Sequence, residues 1–333
     1  MIRLSIRFTS ALALIALVLS VFPASAQQDV PAAPVAQVPS LPATPAPAPV
    51  APVFPKTDPA NFTAASPSQE TVNAFMQANW GYDDTRIWEI WAIQKTEVDG
   101  ISRVVLLVGD KSGKQKSFIF QFLALADGKH IIYGDDIIPF GAHPFADARA
   151  IEQQRADGPY RGSAAKDLEI VEFADFQCPH CKDAQPNMDK LAVDFPKARI
   201  VFQNFPLPQH AAAATAAAYG YCVTKQGGSD AFFTFASAVF DGQDGLVSAD
   251  GATLTLNSAV TKAGLDPVAI AACAKTPATL AAVEAMVKLG SDLKISQTPT
   301  LVVNGRLIPA GAPYDIIKHV ILYQAKLDGV VAQ

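Results

Sequence analysis

The chain has 333 residues, half of them hydrophobic and 17% charged, with 26 basic against 31 acidic side chains and a formal charge of −5. That length suits about two folded domains, and an acidic balance of this kind argues against a nucleic-acid partner.

Arg3 and Arg7 make a positive start, Ala11 to Phe22 an apolar run, and Ala24-Ser25-Ala26 an A-x-A cleavage site, so residues 1–26 read as a secretory signal peptide. The apolar run is short for a transmembrane span, and an uncleaved anchor is the competing reading. The expectation is an exported protein, periplasmic or secreted, in a compartment where cysteines can be oxidised. Loss of Arg3 and Arg7 moves the formal charge from −5 to −7. Residues 27–59 are Pro, Ala and Val with almost no charge, which reads as a semi-rigid, polyproline-like linker.

Residues 60–142 read as a small α+β domain. Ser66 is the expected N-cap of a first helix, with Pro67 at N1, Gln69 completing a capping box, and Val72, Phe75, Met76 and Trp80 forming its apolar face. Strand-like segments follow at Arg86 to Thr96, Ile101 to Val108, Lys116 to Ala124 and Lys129 to Tyr133. With Asp-Gly turns at Asp99-Gly100 and Asp127-Gly128, they predict an antiparallel meander. Trp80, Trp88 and Trp91 read as core or interface, and a homodimer formed through this cysteine-free module is expected. Residues 143–160 are a connecting segment with a helix from Phe145 to Ala156.

From residue 163 to 333 the pattern turns to strand, helix, strand. The run Leu168 to Phe176 reads as a buried parallel strand, and Cys178-Pro179-His180-Cys181 follows it at the opening of a helix. Apolar residues at Cys181, Ala184, Met188, Leu191, Ala192 and Phe195 give that helix one buried face, with Pro196 as its stop. Cys178 falls at the N-cap and Pro179 at N1, so the Cys178 sulfur faces unpaired backbone N–H groups and the positive end of the helix dipole. A thiolate is favoured there, and a charge on His180 acts in the same direction. Cys178 is therefore the expected nucleophile and Cys181 its buried partner. A c-type haem site would need His where Lys182 stands, and structural zinc would need a second close cysteine pair. No cofactor and no metal are expected.

Arg199 to Phe205 supplies the next strand. A helical insertion over about 207–295 follows, with an Ala-rich helix from His210 to Lys225 ending at Gly227-Gly228. A Phe-rich helix comes next, and Asp266-Pro267 and Thr276-Pro277 mark two further helix starts. Cys222 and Cys273 each lie in an Ala-rich helix of this insertion, and in an exported chain they are expected to form a structural disulfide. Strands at Thr298 to Val303 and Arg306 to Pro309 flank an Asn304-Gly305 hairpin turn, and a last helix runs from Pro313 to about Lys326.

In that order of elements, residues 163–333 resemble the DsbA-like, thioredoxin-fold thiol:disulfide oxidoreductases of bacterial export compartments. The expected fold class is α/β, a thioredoxin fold with a helical insertion, behind the small α+β domain. The resemblance implies that Cys178 and Cys181 are the active pair, with His180 between them. It also implies that Pro299 is a cis-proline over that pair, preceded by Thr298, and that Glu172, six residues ahead of Cys178, is a buried acid able to relay a proton to Cys181. The preceding module is similar to that of the dimeric DsbC and DsbG proteins. The function implied is disulfide exchange with exported proteins carrying thiols or disulfides, as an oxidant rather than a reductant, with a membrane redox partner resetting the pair. The competing readings are an isomerase or reductase of DsbC/DsbG type, a non-catalytic peptide-binding chaperone, and a metal-handling protein.

Overall fold

The computed structural model describes residues 54–113 and 115–333, so the signal peptide and most of the linker lie outside the described residues. Among the described residues no single helix is long and apolar enough to cross a membrane.

The chain enters through a 3-10 turn, Pro59–Asn61, capped by the Asp58 side chain. Helix α1 (Gln69–Trp80) begins two residues after the expected point. Ser68, not Ser66, is the N-cap, its Oγ accepting from the Thr71 N–H at 3.1 Å. Ser66 is held in another role: its carbonyl accepts from Ser102 Oγ, and its bond to Pro67 is cis.

Five antiparallel strands in sequence order make the first sheet, β1 (Arg86–Lys95), β2 (Ser102–Asp110), β3 (Phe118–Ala124), β4 (His130–Tyr133) and β5 (Asp136–Pro139). The meander is as expected, with β5 as an addition and a register shift in β1 around Trp91. Alternation turns Ile90, Val104, Leu106, Phe122 and Ile131 toward one face, where Val72, Phe75 and Met76 of α1 close the core. Trp80 packs on Phe120 at 4.9 Å between ring centroids, and Trp88 donates to Asn73.

Helix α2 (Ala146–Arg155) leads to β6 (Tyr160–Gly162), a short strand that begins at the last residue of the stretch read as a connector. It pairs antiparallel with β8 (Arg199–Asn204) and forms one edge of the second sheet. That sheet has the order β10-β9-β7-β8-β6, where β7 is Glu169–Ala174, β9 is Thr300–Val303 and β10 is Arg306–Pro309. Central β7 runs parallel to β8 and antiparallel to β9, and all six of its residues are buried, Glu169 and Glu172 included. Helix α3 (Pro179–Asp194) is the crossover from β7 to β8.

Alternation along β7 separates two cores. Ile170 joins Met188 and Leu191 of α3 and Ile317 and Ile321 of α8 (Tyr314–Leu327), while Val171 and Phe173 join Phe205, Leu289 and Leu293 beneath α7 (Pro277–Asp292). Fully burying side chains of this size is worth roughly 1.5–3 kcal/mol each, so each face is held independently of the loops. Glu172 shares the Ile170 face and therefore lies beneath α3.

The insertion consists of α4 (Ala213–Asp241), a 3-10 turn (Gln243–Val247), α5 (Ala249–Lys262), α6 (Pro267–Ala274) and α7. Gly228, at φ 75°, breaks α4 where the Gly-Gly pair predicted an end, and α5, capped by Ser248, was not anticipated. Cys222 on α4 and Cys273 on α6 are joined as a disulfide, S–S 1.97 Å. At the other end of the fold, Asn304 and Gly305 both take positive φ between β9 and β10, and a side chain at Gly305 would strike the Phe145 carbonyl and Arg149 at the start of α2.

Candidate active site

Strand β7 ends at Ala174, four residues turn, and α3 begins. Cys178 is its N-cap in an extended conformation (φ −75°, ψ 120°), with Pro179 at N1 and no side-chain cap of its own. Pro179 has no N–H to leave unsatisfied, and the following N–H groups of the first turn point toward the Cys178 end. Cys181 N–H donates to the Cys178 carbonyl at 3.1 Å, which places the second cysteine one turn inside the helix.

The two sulfurs occupy unlike surroundings. Cys178 is 4% exposed and its thiol lies 3.6 Å from the Thr298 carbonyl, whereas Cys181 is fully buried and accepts from the Asp175 N–H at 3.4 Å. Burial pushes the Cys181 thiol well up, and the Asp175 N–H is the largest opposing effect. Thr298-Pro299 is cis, and together with His180, Asp183, Asn187 and Gln297 it lines an open groove of about 420 Å³ beside the pair.

Glu172 is 2% exposed and accepts from Gln185 Nε2 at 2.9 Å, with no cation in salt-bridge reach among the described residues. Desolvation raises its carboxyl to about 7, only partly offset by the Gln185 hydrogen bond. A charge on Glu172 in turn disfavours a Cys181 thiolate. Cys178, Cys181, His180, Thr298, Pro299 and Glu172 therefore gather around the N-terminal end of α3, while Cys222 and Cys273 lie in the insertion. Among the described residues no group of three or more His, Cys, Asp or Glu side chains is arranged to hold a metal ion.

Four polar residues of this site were not singled out from the sequence: Asp175, Gln177, His210 and Gln243. Gln243 Nε2 donates to both the Phe176 and Cys178 carbonyls at 2.9 Å, and Gln177 bridges the Leu246 carbonyl and the Ala212 N–H. The insertion thus ties down the turn that carries the cysteines. Asp175 gave one available signal, an acid between Ala174 and Phe176 at the end of the run. The glutamines gave none, because their partners are 35 to 69 residues distant.

Two unlike thiols at a helix N-terminus, beside an X-Pro loop in a sheet with one β-α-β crossover, define a thioredoxin-fold thiol–disulfide oxidoreductase. The chain belongs to the thioredoxin family, whose model Thioredoxin_4 matches residues 154–321. Solved structures similar to it include oxidised BdbD from Bacillus subtilis, 25% identical, covering 51% of this chain and 93% of that one with a TM-score of 0.46. DsbA2 from Pseudomonas aeruginosa is 26% identical over 50% of this chain and 94% of its own, with a TM-score of 0.43. The catalytic domain of ScsC from Proteus mirabilis is 20% identical over 55% and 99%, with a TM-score of 0.46. Among curated proteins, 91 residues are 35% identical to Na(+)/H(+) antiporter NhaA 3 from Salinispora tropica. That match spans 27% of this chain and 14% of the antiporter's length.

Proposed function

We propose that this chain is an exported oxidant that introduces disulfides into secreted or periplasmic proteins through Cys178 and Cys181. The observation that carries the reading is the asymmetry of the pair: Cys178 caps α3 beside the Thr298 carbonyl with 4% of its surface exposed, and Cys181 lies fully buried inside the helix. A substrate thiolate attacks Cys178 of the oxidised pair, the Cys178–Cys181 bond breaks, and Cys181 leaves with the electron pair and takes up a proton. A second substrate thiolate then attacks the substrate sulfur of the mixed disulfide and releases Cys178 as thiolate. The substrate is oxidised by two electrons and the protein reduced by two. A membrane redox partner reverses this change.

In this reading Glu172 relays the proton of Cys181. Thr298 and Pro299 form the shelf on which the substrate chain lies. Cys178 is the N-cap of α3, so a thiolate formed there stands at the positive end of the helix dipole, with His180 next but one in the first turn. Stabilising the reduced form in this way makes a disulfide more oxidising. Equilibration in glutathione buffers tests the direction. A potential in the range of the strong oxidants, lowered by His180→Ala, is expected, and a thioredoxin-like potential would overturn it in favour of a reductase. Export is tested by sequencing the N-terminus of the protein recovered outside the cytoplasm, expected at Gln27.

The DsbC/DsbG-like alternative has one observation in its favour. On the face of the first sheet turned away from α1, Ile119 and Ile137 are 60% and 65% exposed, which is consistent with a homodimer formed through that face. Sedimentation of the protein, with Ile119→Lys as the disrupting variant, separates dimer from monomer.

A further inference from the structure

Asp175 touches both cysteines through its backbone. Its carbonyl accepts from Cys178 N–H at 3.1 Å, and its N–H donates to Cys181 Sγ at 3.4 Å. The direction of that N–H depends on how the residue is held, since a hydrogen bond weakens steeply off its axis. The side chain does the holding. Its carboxylate is 2% exposed and accepts from Gln177 N–H at 2.7 Å, Leu207 N–H at 2.8 Å and His210 Nδ1 at 2.7 Å. Three donors satisfy a carboxylate that would otherwise be costly to bury. Two of them, Leu207 and His210, come from the segment that opens the helical insertion. His210 is the only one of the three that donates from a side chain, so it can be changed without altering the backbone.

We infer that Asp175 and His210 are positioning residues for Cys181, the imidazole holding the carboxylate so that the Asp175 N–H stays aimed at the Cys181 sulfur. The inference rests on the disulfide-exchange reading. When Cys181 resolves a mixed disulfide, its sulfur bonds to Cys178 Sγ, the bond from Cys178 to the outgoing thiol breaks, and that thiol leaves with the electron pair while the Cys181 proton passes to a base. The Asp175 N–H favours the thiolate that this step requires, at a sulfur where burial opposes it.

The test uses the reduced full-length protein and one equivalent of Ellman's reagent. Attack by Cys178 releases a first thionitrobenzoate, and attack by Cys181 on the resulting mixed disulfide releases a second. His210→Ala is expected to leave the first release unchanged and to slow the second about tenfold, the scale of one hydrogen bond to a charged group. His210→Asn places an amide N–H where the imidazole Nδ1 stood and is expected to restore the second rate to within about threefold of wild type. Asp175→Asn, which removes the negative charge and leaves at least one of the three donors without an acceptor, is expected to slow the second release at least as much as His210→Ala. A second release at the wild-type rate in His210→Ala, or equal slowing in His210→Ala and His210→Asn, would overturn the positioning role. Wild-type protein that releases only the first equivalent would instead overturn the exchange reading on which it rests.

Discussion

Glu172 and Cys181 are bridged by a single amide: Gln185 Nε2 donates to the Glu172 carboxyl at 2.9 Å and to the Cys181 carbonyl at 3.0 Å. Both hydrogens of that amide are used, so the buried acid is tied to the helix one turn beyond Cys181.

The raised Glu172 carboxyl gives the first prediction. In the unfolded chain it ionises near the ordinary 4.5, in the folded protein near 7. Below the unfolded value both states hold the proton and the full stability is present. As pH rises through this window the unfolded chain ionises first, and stability falls until the folded carboxyl has also titrated. A shift of this size corresponds to about 3 kcal/mol. Glu172→Gln is expected to remove that loss, making the variant more stable than wild type above the window, while slowing exchange. Urea unfolding across the pH range checks the first part, and stopped-flow exchange with a reduced peptide the second. An unchanged pH dependence of stability would show that the acid is better solvated than its burial implies.

The second prediction concerns which thiol reacts. With Cys178 at the start of α3 and slightly exposed, and Cys181 fully buried with its thiol pushed up, iodoacetamide at neutral pH is expected to alkylate Cys178 more than about tenfold faster than Cys181. Peptide mapping of briefly treated reduced protein reads the ratio directly. Comparable labelling of both sites would show that the helix end is open to reagent from both sides.

The third prediction concerns the insertion. The Cys222–Cys273 bridge closes a loop of 51 residues, which in the chain-entropy picture is worth about 4 kcal/mol. Replacing both cysteines by Ala is expected to lower stability by several kcal/mol, with the loosened insertion also slowing exchange because Gln177 and Gln243 anchor the active-site turn to it. Thiol counting on denatured, unreduced protein is expected to leave Cys222 and Cys273 unlabelled.

The fourth prediction concerns the join between the two sheets. Arg306, 5% exposed at the start of β10, donates to the Ala78 and Asn79 carbonyls at the end of α1, bonds Gln324 Oε1 at 2.9 Å and lies 4.2 Å over the Phe145 ring. Burial lowers its guanidinium to about 10, which leaves it charged at neutral pH. Arg306→Ala leaves those carbonyls without their donor and is expected to cost about 2–4 kcal/mol. Limited proteolysis should then cut between residues 140 and 160 before it cuts elsewhere. Equal resistance of variant and wild type would show that apolar packing alone holds α1 to the hairpin.

The dithiol at a helix start, the Asn-Gly hairpin, the meander and the Asp-Pro and Thr-Pro helix starts were legible in the sequence because each is written in neighbouring residues. An N-cap, a prolyl N1, a positive-φ turn and a period of two or 3.6 depend on backbone rules that act over a few positions. The local pattern put the cap of α1 at Ser66, and the fold puts it at Ser68, whose Oγ accepts from Thr71 N–H, while the Ser66 carbonyl accepts from distant Ser102. The strand β6 and the set of Asp175, Gln177, His210 and Gln243 around the cysteines were decided only by the tertiary structure. Hydrogen-bonding side chains carry no periodic signature, and a buried carboxylate or amide becomes part of a site only when folding brings its donors and acceptors within about 3 Å. The sequence by itself determined the chemistry available at Cys178 and Cys181, and packing decided which polar groups hold those two sulfurs in place.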